Sequence, residues 1–356
     1  MTVDLNSRGS FDLAKLQEDF FLSLVSASKS VNTVKNYRTD LNCFNQFLSL
    51  KKVDGICDLN DFNLTKVHEY ASFLEEKYTS TNSRRRRVQT LRIFFDYLLG
   101  RNIIKENPVK KISPCPKFLD IPRPVLIDHI QTLWDHLLNE SKNPSPFPAL
   151  LSQRNLLIVM LIYGCGLKVS ELSMLQKRHI LLGKSSRVMV TPLRRDPYSI
   201  PLPEGFADLY NLFLKNLSKI VKEQKQIKAI RIGKALEAAQ ALSASDSSHE
   251  DLESEASLLL FNANHYRILS AGLSPRGLEI IFEELKKKLK IEITPKSLRQ
   301  ACIFKWLHAK HPESDIKEWL GVAPSYSFKP YLELADQYHY HDHFFAKLTY
   351  KDSSIS

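Results

Sequence analysis

The sequence has few of the features that mark secreted, metal-binding or membrane-spanning proteins. Its 356 residues include five widely separated cysteines, and no two of them are spaced as CxxC. A zinc site of the usual spacing is therefore not predicted, and free thiols in a reducing cytoplasm are favoured over disulfides. Residues 1–12 are polar and lack the apolar core of a signal peptide. The longest apolar run, Leu156–Tyr163, is too short to span a bilayer, so we expect a soluble cytoplasmic protein that does not enter membranes.

Charge, in contrast, is abundant and biased to one sign. Lysines and arginines number 50 against 39 aspartates and glutamates, which gives a formal net charge of +11. A surplus of this size favours a polyanionic partner such as nucleic acid, because each phosphate that is neutralised releases a condensed counterion. The alternative is an ordinary basic soluble protein. With 43% hydrophobic residues over 356 positions, the chain has enough apolar surface for two globular domains.

The first hundred residues show the three- and four-residue apolar spacing of amphipathic helices. Residues 1–12 are assigned to an N-terminal tail. Helices are predicted to begin near Ser30, to cover Leu64–Lys77, and to run from Ser83 to Gly100, where glycine is a typical helix stop. We therefore predict an all-helical domain over residues 13–112.

The last of these predicted helices carries a run of arginines. At 100° per residue, its apolar side chains fall on one side, and Arg85, Arg86 and Arg92 fall opposite or beside them. Arg84 and Arg87 point nearer to the apolar side. A helix that buries phenylalanine and leucine while presenting arginines fits a DNA-facing surface. The alternative is a charged face that contacts only solvent.

A basic, proline-rich segment follows this domain. Residues 105–124 hold five prolines and five lysines or arginines. Because proline lacks a backbone donor and has a fixed φ, regular structure is not expected here. We assign residues 113–126 as a stiff linker to a second domain over residues 127–334.

The second domain is predicted to be mainly helical with a small β component. Its helices are expected at Asp128–Leu138, Arg154–Gly164, Pro275–Leu289, Leu298–Ala309 and Ser314–Leu320. Residues 187–203 alternate like a β-hairpin, and Leu258–Phe261 reads as a short strand. Residues 221–256 are polar and free of aromatic residues, which is typical of a solvated helical or disordered insertion. Residues 335–356 form a polar, aromatic-rich tail, for which we expect a partner-docking helix.

Several of these segments, taken in order, resemble the tyrosine recombinase (phage integrase, XerC/XerD-like) family. The N-terminal domain resembles the family's core-binding domain in the stretches SVNTVKNYRTDLNCFNQFL and SRRRRVQTLRIFFDYLL. The second domain resembles the catalytic domain in RNLLIVMLIYGCGLKVSELSML, RVMVTPLRRDPYSIPLP, LSPRGLEIIFEELKKKLKIEITPKSLRQA and WLGVAPSYSFKPYLEL. The resemblance runs from about residue 13 to residue 334.

The resemblance implies a two-domain architecture, with a helical core-binding domain and an α+β catalytic-type domain forming a C-shaped clamp around double-stranded DNA. It also implies recombinase subunits that assemble on DNA as homo- or hetero-oligomers. In this family a tyrosine attacks a phosphodiester and gives a 3′-phosphotyrosyl link. The reaction uses arginines, histidines and a hairpin lysine, and it needs no metal or nucleotide cofactor.

Carried over residue by residue, the family pattern places the nucleophile at Tyr331 and a phosphate-binding arginine at Arg299. Its first arginine is replaced by Lys168 in GLKVSEL, and the first histidine of its HxLRH box by Lys296 in KSLRQ. Tyr326 is a weaker nucleophile candidate. The retained and substituted catalytic positions are thus predicted to form one pocket.

Three further family positions depart from the pattern. The second histidine of the HxLRH box is Gln300, and the LGH histidine is Val322. The hairpin lysine has no counterpart, and Arg194 or Arg195 lies nearest. Because a valine side chain donates no hydrogen bond and lysine lacks arginine's bidentate fork, we expect strand cleavage to be impaired.

Phosphate or DNA contact is predicted for a set of basic residues: Arg84, Arg85, Arg86, Arg87, Arg92, Lys110, Lys111, Arg194 and Arg195. The histidines of HYHDH, from His339 to His343, would share a face only in a strand, so a metal site is not predicted there. Three functions stay open at this point. They are a DNA-binding recombinase relative with impaired cleavage, an active divergent recombinase, and an interaction protein that reuses the fold without DNA.

Overall fold

A computed structural model describes residues 12–50, 62–111, 121–192, 195–239, 258–264 and 267–348. The chain divides into two compact units, Met1–Leu119 and Asp120–Ser356. Each unit has its own hydrophobic core. Mainly helical structure with small sheets confirms the predicted fold class.

Unit 1 is built from the helices α1 Leu13–Ser26, α2 Val31–Leu50, α3 Leu64–Lys77 and α4 Thr81–Gly100. The predicted bounds of α3 are confirmed, and α4 begins two residues earlier than predicted because the Ser80 hydroxyl caps it by accepting from Ser83 N–H. A 3-10 helix at Pro108–Lys111 departs from the irregular structure expected there.

The core of unit 1 is rich in aromatic side chains. Phe44, Phe94 and Phe95 have no exposed surface, and the rings of Phe44 and Tyr70 meet edge to face with centroids 5.4 Å apart. Edge-to-face pairs contribute roughly 0.5–1.5 kcal/mol each beyond the area they bury. This packing holds α2, α3 and α4 together and leaves the arginine run of α4 at the edge of the core.

Unit 2 begins with α5 Ile127–Glu140 and α6 Pro146–Val159, which continues as a π-helical turn over Met160–Gly164. The stretch Pro146–Gly164 is long and apolar enough to span a membrane, contrary to the expectation from the shorter run at 156–163. However, 83% of its most apolar window is buried within the protein. It is therefore the central core helix of unit 2.

The sheets of unit 2 are small and antiparallel. One sheet has the order β1 Ile180–Leu181, β2 Arg187–Val190 and β3 Tyr198–Pro201, which confirms the predicted hairpin. The second pairs β4 Phe261–Asn264 with β5 Arg267–Gly272. The strand predicted at Leu258–Phe261 is thus displaced, and its partner β5 was not predicted.

The described residues of unit 2 also form the α-helices α7 Val169–Leu172, α8 Phe206–Ala239, α9 Pro275–Leu289, α10 Pro295–His308, α11 Glu313–Trp319 and α12 Lys329–Leu332. Helix α8 extends into the predicted polar insertion as far as Ala239, and residues 240–257 lie outside the described residues. The bounds predicted for α9 are confirmed, and α10 begins three residues earlier than predicted. Thr294 caps α10, and Pro295 at its first turn is preorganised for a helix start.

The helix predicted for the C-terminal tail is not formed over residues 335–348, whereas the docking role of the tail stays a prediction. This stretch forms 3-10 turns at Ala335–Gln337 and His343–Lys347. Phe344 and Phe345 are buried against unit 2 itself, where the Phe345 ring lies 4.7 Å from that of Trp134. The aromatic residues Phe344 and Phe345 of the tail are therefore part of the hydrophobic core of unit 2.

Candidate active site and nucleic-acid interface

The first candidate catalytic residue, Lys168, lies at the N-cap of α7. Gly166 precedes it at φ +67°, a left-handed conformation that glycine adopts without strain. The Glu171 carboxylate accepts from Lys168 N–H at 2.8 Å and from Lys168 Nζ at 3.1 Å. Burial lowers the pKa of Lys168, Glu171 opposes that shift, and the guanidinium groups of Arg299 and Arg195 lower it further. Lys168, Arg195 and Arg299 therefore form one cationic cluster, in which Lys168 pairs with the Glu171 carboxylate.

Arg299 is anchored by backbone carbonyls on two sides. Its Nε donates to Gly166 O at 2.5 Å and its Nη2 donates to Leu320 O at 3.4 Å. These bonds tie α10 to the loops that carry Lys168 and Gly321. An arginine held in this way is preorganised to bind an oxyanion, because its remaining N–H groups have a fixed direction.

The β-hairpin contributes Arg195 and Tyr198 to the same cluster. A Cβ built on Gly321 would lie 2.7 Å from Tyr198 Cε1 and 3.1 Å from Arg195 Nη1, so this approach requires glycine. Burial raises the pKa of Tyr198, and a hydrogen bond to Glu171 raises it further. The sequence patterns did not identify Tyr198, and Arg194 lies outside the described residues.

Tyr331 is buried, with 7% of its surface exposed, on the short helix α12. Its ring lies 5.1 Å from that of Phe304. Burial raises the pKa of the Tyr331 hydroxyl, and the Tyr326 hydroxyl, which is hydrogen-bonded to it, raises it further. Arg299 and a hydrogen bond from Gln300 act in the opposite direction. The tyrosine is thus beside the cationic cluster but protonated and covered.

Gln300 occupies the position of a family histidine and bridges two parts of the unit. Its Oε1 accepts from Arg123 N–H at 3.1 Å, and its side chain also bonds to Tyr331. Val322, at the other histidine position, packs partly buried against the core. Neither side chain can act as a general acid or base.

Lys296 lies at the first turn of α10 and is exposed. It lines a cleft of about 470 Å³ together with Lys168, Arg299 and the apolar side chains Leu167, Phe282 and Ile293. The structure therefore brings Lys168, Lys296, Arg299 and Arg195 into one region of unit 2. Such a set of cations can bind a phosphate group by charge and by hydrogen bonds.

The predicted DNA-contact residues of unit 1 lie in different environments. Arg86 donates to the buried Asp40 carboxylate at 2.8 Å and keeps 42% of its side chain exposed. The Arg87 side chain is 9% exposed, and its guanidinium covers the Tyr78 ring at 3.7 Å. Arg84 donates to Thr81 and is half-buried, as is Arg85.

The other basic residues proposed for unit 1 have intramolecular partners. Arg92 donates to Val109 O at 3.2 Å. Lys110 pairs with Asp96 at 2.8 Å and Lys111 with Glu106 at 2.7 Å, both at the surface. Surface ion pairs of this kind contribute about 0–1 kcal/mol, so they can open when a stronger anion binds.

Comparison with known proteins finds similarity to phage integrases and tyrosine recombinases. Residues 18–102 match the phage integrase N-terminal SAM-like domain. The tyrosine recombinase XerC of Escherichia coli O127:H6 is 28% identical over 203 residues, which are 54% of this chain and 63% of that protein. The XerC of Listeria monocytogenes serotype 4b is 28% identical over 158 residues, 44% of this chain and 49% of that protein. The chain thus matches less than two thirds of the length of these curated relatives.

Solved structures share the fold across most of the chain. The XerH site-specific recombinase, in a post-cleavage complex with a palindromic difH substrate, superposes with a TM-score of 0.62 at 14% identity, covering 93% of this chain and 83% of that one. A lambda integrase dimer bound to a COC′ core site gives a TM-score of 0.57 at 12% identity, covering 95% and 81%. The chain is thus similar to tyrosine recombinases in sequence, and it shares their fold.

Proposed function

We propose that this protein is a site-specific DNA-binding member of the tyrosine recombinase family that acts in DNA recombination or integration with impaired strand cleavage. The observation that carries the proposal is an intact cationic cluster at Lys168, Arg195 and Arg299 beside a buried Tyr331. Double-stranded DNA in the cytoplasm is the proposed partner. Assembly on DNA with copies of this chain or with an active relative is part of the proposal.

Two features support phosphate binding at this cluster. Arg195 and Arg299 are close enough to Lys168 to influence its charge, and Glu171 is the carboxylate that pairs with Lys168. Burial and the neighbouring guanidinium groups lower the pKa of Lys168 in spite of its pairing with Glu171, so another anion nearby would stabilise the charged form of Lys168. A bound phosphate would supply that charge.

Impaired cleavage is supported by what surrounds Tyr331. Gln300 and Val322 stand where the family has histidines, and neither can transfer a proton. The Tyr326 hydroxyl favours the protonated form of Tyr331. Losing one preorganised donor at a developing charge costs on the order of 10²–10³ in rate. We infer that the chain binds its DNA site but cleaves it slowly or not at all.

The DNA-binding part is tested by selecting bound fragments from sheared genomic DNA at moderate salt, followed by sequencing and titration of the selected site. We expect an enriched site with inverted half-sites. The logarithm of the affinity should fall linearly with the logarithm of salt, by about 0.9 for each phosphate contact. Absence of both enrichment and salt-dependent binding would refute the proposal.

The cleavage part is tested with the selected site carrying a nick near the scissile phosphate. We expect little denaturation-resistant adduct from the natural sequence, and none from Tyr331→Phe. Abundant adduct that disappears in Tyr331→Phe would instead establish the active, divergent recombinase. Tyr326→Phe is the matched control, since it removes a neighbouring hydroxyl without removing the proposed nucleophile.

A second candidate is an interaction protein that does not bind DNA. The observation in its favour is that several arginines and lysines of unit 1 are paired with Asp40, Asp96 and Glu106. Those pairs lower the charge available to a phosphate backbone. The selection experiment separates the two candidates, because this one predicts no salt-dependent affinity for any duplex.

A further inference from the structure

The arginine run of α4 covers a buried carboxylate on the neighbouring helix α2. Asp40 is 1% exposed, and its side chain has no exposed surface. Its Oδ1 accepts from Arg86 Nη2 at 2.8 Å and its Oδ2 accepts from Thr90 Oγ1 at 2.9 Å. Both carboxylate oxygens are thus directed at α4.

A carboxylate at this depth is costly to bury. Removing an ionised group from water costs several kcal/mol, and a charge partner compensates only when the geometry is good. An apolar side chain at position 40 would join α2 to α4 at a lower cost. The presence of a carboxylate at position 40 is therefore better explained by its bonds to Arg86 and Thr90 than by packing alone.

The two arginines next to Asp40 differ in what they present to solvent. Arg87 turns inward, where its Nη1 donates to Ser83 O and its guanidinium covers the Tyr78 ring. Arg86 keeps 42% of its side chain exposed while Asp40 holds one of its nitrogens. Of the two arginines, Arg86 is the one whose guanidinium is both held by Asp40 and accessible to solvent.

We propose that Asp40 is a positioning residue that fixes the Arg86 guanidinium, so that Arg86 reads a guanine edge of duplex DNA and sets sequence specificity. The inference rests on the proposed DNA-binding function. A guanidinium has five N–H donors, so one bond to Asp40 leaves a pair to match the two acceptors of guanine. Fixing the side chain before binding lowers the entropy cost of that contact.

The test compares binding to the selected site with binding to a scrambled duplex of the same length, over a range of salt concentrations. The variants are Asp40→Asn and Arg86→Lys. Asp40→Asn keeps the side-chain size but removes the charge that holds Arg86, and Arg86→Lys keeps the positive charge but removes the guanidinium. Arg38→Lys is the matched control, because Arg38 also binds a carboxylate, Glu18, at 2.9 Å but at an exposed position. Thermal unfolding of each variant confirms that the protein measured is folded.

We expect Asp40→Asn and Arg86→Lys to lower the preference for the selected site by on the order of 10- to 100-fold. The salt slope should stay unchanged, and the double variant should lose no more than the larger single loss. Arg38→Lys should leave the preference unchanged.

Two results would overturn the inference. A uniform loss of affinity for both duplexes in Arg86→Lys or Asp40→Asn would make Arg86 a phosphate contact without sequence preference. Lower thermal stability with an unchanged preference would make the Asp40 contacts purely structural. In both cases the natural sequence still binds DNA, whereas failure of the proposed function shows as absence of binding by the natural sequence itself.

Discussion

Replacing Val322 and Gln300 together by histidine is expected to increase the rate of covalent adduct formation on nicked DNA by at least about 100-fold. Gln300 already contacts Tyr331, and Val322 follows Gly321, whose backbone lies against Arg195 and Tyr198. An imidazole at either position would therefore enter the region of the cationic cluster. It could donate to the phosphate oxygens and exchange a proton with the reacting groups.

The magnitude follows from the number of donors restored. One preorganised donor at a transition-state charge contributes about 10²–10³ in rate, and groups of one catalytic set are not additive. We therefore take the value of a single donor as the lower bound for the double variant. Gln300 is 9% exposed and accepts from Arg123 N–H, so losing that bond costs about 1–3 kcal/mol of stability. Thermal unfolding must accompany the kinetics.

The assay is single-turnover formation of a denaturation-resistant complex, measured by gel electrophoresis with excess protein over nicked DNA. The same double variant carrying Tyr331→Phe is the control and should give no adduct. Equal rates for the natural sequence and a folded double variant would show that the histidine positions do not limit cleavage. Val322 and Gln300 would then not be the cause of any impairment of cleavage.

Two stability predictions follow from unit 2. Asp342→Asn should destabilise the protein near neutral pH, because it removes the ion pair in which Lys305 Nζ lies 2.7 Å from Asp342. Burial alone would raise the pKa of Asp342. Lys305 outweighs burial and holds that pKa below its ordinary value of 3.8. A carboxylate with a lowered pKa contributes stability above its ordinary value and loses it as pH falls through the lowered one, so the difference in Tm should disappear in strong acid. Gly166→Ala should lower the free energy of unfolding by at least about 1–2 kcal/mol, since φ is +67° and the new Cβ would lie 2.8 Å from the Trp306 ring. Chemical denaturation checks this value, and an unchanged midpoint would show that the loop relaxes without strain.

Local patterns predicted the helices of both units well. The bounds of Leu64–Lys77 and Pro275–Leu289 follow from apolar periodicity, capping side chains and proline positions within each segment. The helix predicted in the tail is not formed, and the aromatic residues there have no helical or strand period. Their burial depends on Trp134 and Tyr163, which are far away in the chain. Only the tertiary fold brings these rings together.

The same distinction holds for the candidate site. The positions of Lys168, Arg299 and Tyr331 could be assigned from short motifs. Tyr198 could not, because its place in the cluster depends on strand pairing and on the close approach of Gly321. Nor could the bond between Arg86 and Asp40 be predicted, since 46 positions separate them and helical periodicity gives no information on contacts between helices.

Residues 121–126, which lead into α5, are attached to the rest of unit 2 at several points. Arg123 N–H bonds to Gln300, Val125 N–H bonds to Ser297 O at 3.3 Å, and Tyr340 Oη donates to Val125 O at 2.6 Å. We therefore expect a change in the length of the preceding chain to leave the cleft lined by Lys168, Lys296 and Arg299 in its present position. For protein engineering, these three bonds make residues 121–126 a stretch to keep unchanged when the sequence of unit 1 is altered.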